Sequence, residues 1–179
     1  AGLLVALSAK GKLDLEKPSE LGKKFRILDV GLSFKKYPNC YSTHRVIDAV
    51  IDLAKDNNLK PADIRGVHAT IGKSQEALCK NHDPVTALQA KYSLEFAVAS
   101  ALVAGNVGLT QLDDSFVNRP EVRDTMKKVS YTAIDSRCDI EPAFAVSDRV
   151  VIDLADGRKL DSGEVRFARG HALKPMATA

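Results

Sequence analysis

The 179-residue chain lacks the marks of several large protein classes. No stretch approaches the roughly 18 consecutive apolar residues of a membrane-spanning helix, so no membrane span is expected. Its three cysteines, Cys40, Cys79 and Cys138, are odd in number, far apart and without a CxxC pair. No disulfide framework or metal site follows from that spacing, and a reduced, cytoplasmic protein is the simplest reading. The net charge is only +3, and it is dispersed. Aromatic and basic residues do not interleave as on a nucleic-acid surface, so no nucleic-acid partner is expected. A small positive excess suits an anionic small molecule. There is no internal repeat and no low-complexity tract. The apolar fraction of 45% and charged fraction of 27% are ordinary for a globular fold. The opening AGLLVALSA is apolar, but no basic region precedes it and there is no initiating Met. It reads as the end of a helix at a fragment boundary rather than a signal peptide.

Hydrophobic periodicity sets the expected elements. Residues 11 to 24 are polar, with Gly and Pro, and read as a loop or a short helical turn. Leu28, Val30, Leu32 and Phe34 alternate with polar residues, which predicts a half-buried strand ended by Pro38. Ser42 or Thr43 is placed to cap a helix with Val46, Ile47, Val50, Ile51, Leu53 and Ala54 inside and Arg45, Asp48, Asp52 and Lys55 in water. Asp56-Asn57-Asn58 and Pro61 end it. A second strand follows over 64–71, then a polar loop over 72–85. One long, largely buried helix is expected from Thr86 to Ala104, ended by Gly105. A helical turn at 110–116, a helix entered at Pro120 and an alternating run over 129–137 come next. Val150, Ile152 and Leu154 form a strand, Asp156-Gly157 turns it, and residues 159–167 return. The fold class is α+β, a small mixed sheet with packed helices and a C-terminal β-hairpin. The segments divide as 1–24 flanking, 25–170 the α+β domain and 171–179 an exit segment.

The chemistry concentrates at one strand-to-helix corner, FKKYPNCYSTHRVIDAVIDL, residues 34–53. An ammonium, a thiol, hydroxyls and an imidazole lie within ten residues. Lysines at a strand end beside a helix N-terminus suit the holding of an anion. An imidazole suits acid–base work near neutral pH. Each has a plainer reading. Lys35 fits a solvated strand-edge lysine. His44 fits a first-turn residue bonded to backbone. Cys40 fits a small packed side chain. Lys91 fits a snorkelling residue at a helix start, and Ser93 a hydroxyl packed within the helix. A thiol enzyme built on Cys40 and His44 is a further alternative, tested by Cys40 alkylation during an assay.

Three segments together resemble the MmgE/PrpD family, which includes 2-methylcitrate dehydratases, cis-aconitate decarboxylases and iminodisuccinate epimerases. Lys35 to Leu53 is similar to the family's K-P-Y-P-x-C-x-x-T-H-x-x-I-D-A pattern. AKYSLEFAVASALVAGNVGL, Ala90 to Leu109, is similar to A-K-F-S-L-x-Y-x-V-A-x-A-L-x-x-G. RPEVRDTMKKV and a V-x-I-x-L-x-D-G hairpin complete the order. The resemblance implies a smaller α+β lid domain, with a large helical domain that carries an Asp/His cluster and is absent from this chain. It implies a homodimer in the full protein, a small di- or tricarboxylate as substrate, and neither metal nor organic cofactor. Carried over residue by residue, it makes Lys35 and His44 the catalytic candidates, and Lys36, Cys40, Lys91 and Ser93 the substrate-binding ones. Lys36 stands where the family has proline, so either lysine fits the motif. Phe96 replaces a frequent tyrosine, and the His-Gly/Ala-Gln-Thr-Ala variant is absent, so the resemblance does not single out methylcitrate. A stand-alone binding or oligomerisation domain with the lid fold and no catalysis is the alternative from another class.

Overall fold

A computed structural model describes residues 22, 23 and 25–176. They belong to two units, one ending at Leu32 and the other starting at Ser33. The expectations for residues 1–21 and 177–179 lie outside the described residues. In the first unit, Arg26–Asp29 forms one helical turn, α1.

The strand expected over 28–34 does not form. Leu28 is 84% exposed, Gly31 turns the chain at a φ of 81°, and no residue of the run enters the sheet. A strand is stabilised by ladder bonds and cross-strand neighbours, and alternation alone supplies neither. Phe34 instead donates its amide to the Gly170 carbonyl at 2.8 Å.

Helix α2, His44–Asp56, follows a 3-10 turn at Tyr41–Thr43. Its apolar face is as expected: Val46, Ile47 and Val50 are fully buried. Its cap is not. Thr43 holds the N-cap position without a side-chain cap bond, and its Oγ1 donates to the Cys40 carbonyl at 2.8 Å. The wet face is also corrected: Arg45 and Asp48 are each 1% exposed, because carboxylates and a guanidinium from far along the chain close over them.

Strand β1, Ile64–Gly72, runs into a short helix α3, Lys73–Glu76, inside the stretch expected as loop. The long helix expected over 86–104 is two, α4 at Ala87–Ala90 and α5 at Leu94–Ala104. Each has its own cap: Thr86 Oγ1 accepts from the Gln89 amide, and Ser93 Oγ from the Phe96 amide. Leu88 and Tyr92 therefore face outward rather than into a single, largely buried helix. Gly105 ends α5 at a φ of 64°, as expected. Helices α6, Asp114–Val117, and α7, Pro120–Met126, lead to β2, Val129–Ile134. Strand β3, Arg149–Leu154, turns at Gly157 into β4, Lys159–Asp161. The return strand is shorter than expected, and Val165 re-pairs only as a bridge to Asp148.

The sheet order is β2-β1-β3-β4, with β1 and β2 parallel and the other pairs antiparallel, so the α+β class and the small mixed sheet hold. One sheet face packs Val67, Ala69, Ile71, Val150, Ile152 and Leu154 against α2 and α5. Helix α5 is buried on its other side too, where Phe96 and Ala99 meet Phe116, Val122 and Met126. It is thus the rigid post on which the corner rests.

Candidate functional site

The corner is organised by a residue that motif reading passed over, Asn39. Its carbonyl accepts from Lys35 Nζ at 3.2 Å and from His44 Nε2 at 3.4 Å. Because a carbonyl only accepts, the imidazole hydrogen sits on Nε2, and Nδ1 is a bare acceptor. Proline at 38 and a side-chain bond from Asn39 Nδ2 to Thr43 Oγ1 at 3.3 Å fold the turn. Burial pushes the His44 imidazole down to about 4, against the pull of the Asn39 carbonyl and with added push from Lys35. His44 is therefore neutral at pH 7. It is also fully buried, between the Tyr37 and Tyr41 rings at 5.2 and 4.9 Å between centroids.

The structure brings four of the six expected site residues to this corner. The Cys40 amide donates to the Lys91 carbonyl at 2.9 Å, so the break between α4 and α5 is what docks Lys91 beside the Lys35–His44 turn. Lys35 is exposed, and Cys40 and Lys91 are partly so. The other two are engaged otherwise. Lys36 Nζ lies 5.3 Å over the Tyr37 ring. Ser93 is fully buried, and its hydroxyl caps α5 and donates to Glu95 Oε2 at 3.1 Å.

Three buried polar atoms here have no hydrogen-bond partner: Asn39 Oδ1, His44 Nδ1 and the Tyr41 hydroxyl. Each such atom costs about 1–3 kcal/mol, and folded proteins carry few.

Behind the corner lies a charge network that the sequence pattern concealed. Arg45 donates to Glu141 Oε2 at 2.7 Å and to the Ala145 carbonyl at 2.8 Å, and its Nη1 is 3.6 Å from Asp148 Oδ1. Gln75 Nε2 donates to Asp148 Oδ2 at 2.7 Å. Asp48 accepts from the Tyr37 hydroxyl at 2.7 Å and from the Arg169 amide at 2.6 Å, and the Arg169 guanidinium also grips Asp52. Burial pushes the Asp148 carboxyl up to about 7, against the Arg45 charge and the Gln75 bond. A carboxyl raised in this way favours its neutral form. The stability it gives is fully present below the ordinary carboxylate range and is lost as pH rises through about 7. Asp148→Asn is therefore expected to gain on the wild type between about pH 4 and pH 7, read as a widening difference in Tm.

A cleft of about 550 Å³ lies elsewhere, between α2 and the segment after β4. Its lining carries Asp48, Asp52, Asp56, Asp161 and Glu164 against Arg166 and Lys174, the wrong sign for a polycarboxylate. Among the described residues no His, Cys, Asp and Glu side chains group to hold a metal ion. Nor, among them, is any helix long and apolar enough to cross a membrane.

Comparison with known proteins decides the family. The model of the MmgE/PrpD C-terminal domain matches residues 37–179, from the Asn39 turn to the end of the chain. The chain belongs to the MmgE/PrpD C-terminal domain family. Among its relatives are the cis-aconitate decarboxylases of Homo sapiens, 26% identical over 152 residues, and Mus musculus, 26% identical over 153. Each match covers 82% of this chain and 30% of the relative, so the chain spans less than a third of the length of the curated relatives it matches. The MmgE/PrpD match begins two residues after Lys35, whose ammonium the Asn39 carbonyl nonetheless ties to the matched region.

Proposed function

We propose that this chain is the lid portion of an MmgE/PrpD lyase or isomerase acting on small di- or tricarboxylates by dehydration, decarboxylation or epimerisation. One observation carries the reading. An exposed lysine and a neutral histidine share the carbonyl of a buried asparagine, in a turn that leaves three polar atoms unpaired. Lys35 makes the principal carboxylate contact, with Lys36 and Lys91 as further cations and Cys40 on the wall. His44, buried and neutral, acts through Asn39 by fixing where the Lys35 ammonium stands. Ser93 holds the break that presents Lys91. The other half of the site, with most acid and base groups, comes from a helical domain, and the whole protein is a cytoplasmic homodimer working without metal or organic cofactor.

A calorimetric titration of the chain with citrate, cis-aconitate and iminodisuccinate tests the carboxylate contact. At least one is expected to bind weakly, and Lys35→Ala is expected to weaken it by about tenfold or more, the usual scale for a hydrogen bond to a charged group. Binding that Lys35→Ala leaves unchanged would remove the anion site from this corner.

A second reading, a binding or oligomerisation domain without catalysis, is favoured by the open apolar side chains Leu88 and Tyr92 at the α4–α5 break. It expects no carboxylate heat and a concentration-dependent mass in sedimentation.

A further inference from the structure

The corner has an anion contact but no imidazole able to exchange a proton with a ligand. Of the chain's four histidines, His44 and His171 are buried. His68 has both ring nitrogens engaged, at 3.0 Å from Ser130 Oγ and 3.0 Å from Thr132 Oγ1. His82 alone offers a ring nitrogen to solvent. Its side chain is 57% exposed, and its Nδ1 lies 3.0 Å from Glu95 Oε1, whose side chain is only 11% exposed. Glu95 is itself fixed, since Ser93 Oγ donates to its other oxygen at 3.1 Å. The Tyr131 ring stacks on the imidazole at 6.0 Å between centroids. A surface ion pair of ordinary kind has two mobile partners. Here the acid is buried and anchored, and the base is oriented by it, which is the arrangement of a held proton acceptor.

Its position joins it to the corner. Two consecutive carbonyls at the α4–α5 break, Lys91 and Tyr92, take the amides of Cys40 at 2.9 Å and Asn81 at 3.2 Å. The Lys35–His44 turn and the His82 loop are thus pinned side by side on one break. Burial pushes the Cys79 thiol up to about 12, with Cys40 and Glu95 as the next contributors.

We propose that His82, held by Glu95, is the proton-exchanging residue that this chain contributes to the carboxylate site. The inference rests on the reading of the corner as that site. Glu95 accepts the Nδ1 hydrogen, so Nε2 is bare and takes the proton. In the step, the C–H bond beside a substrate carboxylate breaks and an Nε2–H bond forms. The electron pair stays on the carbon and its carboxylate as an enolate-like charge facing Lys35 and Lys91. The imidazolium keeps Nδ1–H on Glu95 and later returns the Nε2 proton to carbon or to a leaving hydroxyl. Glu95 is a positioning residue.

The test is nitrogen NMR of the histidine side chains of the whole chain near pH 8, where free imidazole is neutral. His82 is expected in the Nδ1–H tautomer, and Glu95→Gln, whose amide can donate, is expected to switch it to Nε2–H. Adding cis-aconitate is expected to move the His82 Nε2 resonance in the wild type and not in Glu95→Gln. An Nε2–H tautomer in the wild type overturns the proposal. So does cis-aconitate that binds, with heat lost in Lys35→Ala, while His82 stays unmoved; the corner reading then survives alone. Absence of binding by any of the three carboxylates overturns both.

Discussion

Arg45→Met is expected to destabilise the fold by about 3–5 kcal/mol, the scale for removing one partner of a buried ion pair. The methylene stem is conserved in volume, so the loss is electrostatic. It takes away the guanidinium that Glu141 Oε2 holds at 2.7 Å, leaving that carboxylate beside His171 Nε2 at 3.6 Å, and leaves Asp148 with Gln75 as its remaining polar support. It also frees the Ala145 carbonyl and removes the cation that lies 4.9 Å from the Phe144 ring centroid. These residues hold the 141–148 segment against α2, so its amide protection should fall first. Urea denaturation measures the effect. Adding Glu141→Gln and Asp148→Asn to Arg45→Met should restore part of the loss, because no uncompensated charge then stays buried. A loss below about 1 kcal/mol would mean that water reaches the network and that it is not sealed.

Gly170→Ala is expected to lower stability by about 3 kcal/mol, from two sources that add. Gly170 sits at a φ of 94°, where an L side chain is strained. A Cβ there would stand 2.2 Å from the Phe34 carbonyl oxygen, which is backbone and has no rotamer to yield. The chain must part at the Phe34–Gly170 bond, and Phe34 immediately precedes Lys35. Two readouts therefore move together, the urea midpoint and carboxylate binding. Arg169→Ala loosens the same strap through Asp48 and Asp52 without a backbone clash, and it should lower stability with a smaller effect on binding. Wild-type stability in Gly170→Ala would show that the Phe34 tether is not a fixed part of the fold.

Legibility from sequence followed the range of the forces involved. Helix α2 could be read because its apolar face repeats within its own thirteen residues. The β3–β4 hairpin could be read because an Asp-Gly turn is a local signal, realised at Gly157 with a φ of 90°. The run from Leu28 to Phe34 alternates equally well, but whether a strand forms is decided by a partner it does not find. The single helix expected over Thr86–Ala104 hid a break that local chemistry did announce: Thr86 with Gln89 is a capping box, and Ser93 is a second cap. The burial of Arg45 and Asp48 had no local signal. Their partners Glu141 and Arg169 lie 96 and 121 residues away, and charge at a helical position normally means water. At the corner, the lysine, cysteine and histidine stand in the motif, whereas Asn39 joins Lys35 to His44 through its backbone carbonyl, which no side-chain pattern announces. His82 lies in a polar loop, and its link to Glu95 exists only because α5 starts where it does.

The most direct test is an amide chemical-shift map of the isotopically labelled chain during titration with cis-aconitate. Shifts are expected on residues 35–44 and 91–93, the two segments that the Cys40–Lys91 bond holds together, and they should vanish in Lys35→Ala. Shifts gathered instead around the cleft between α2 and residues 162–174, or binding with none at the corner, would contradict the placement of the carboxylate site.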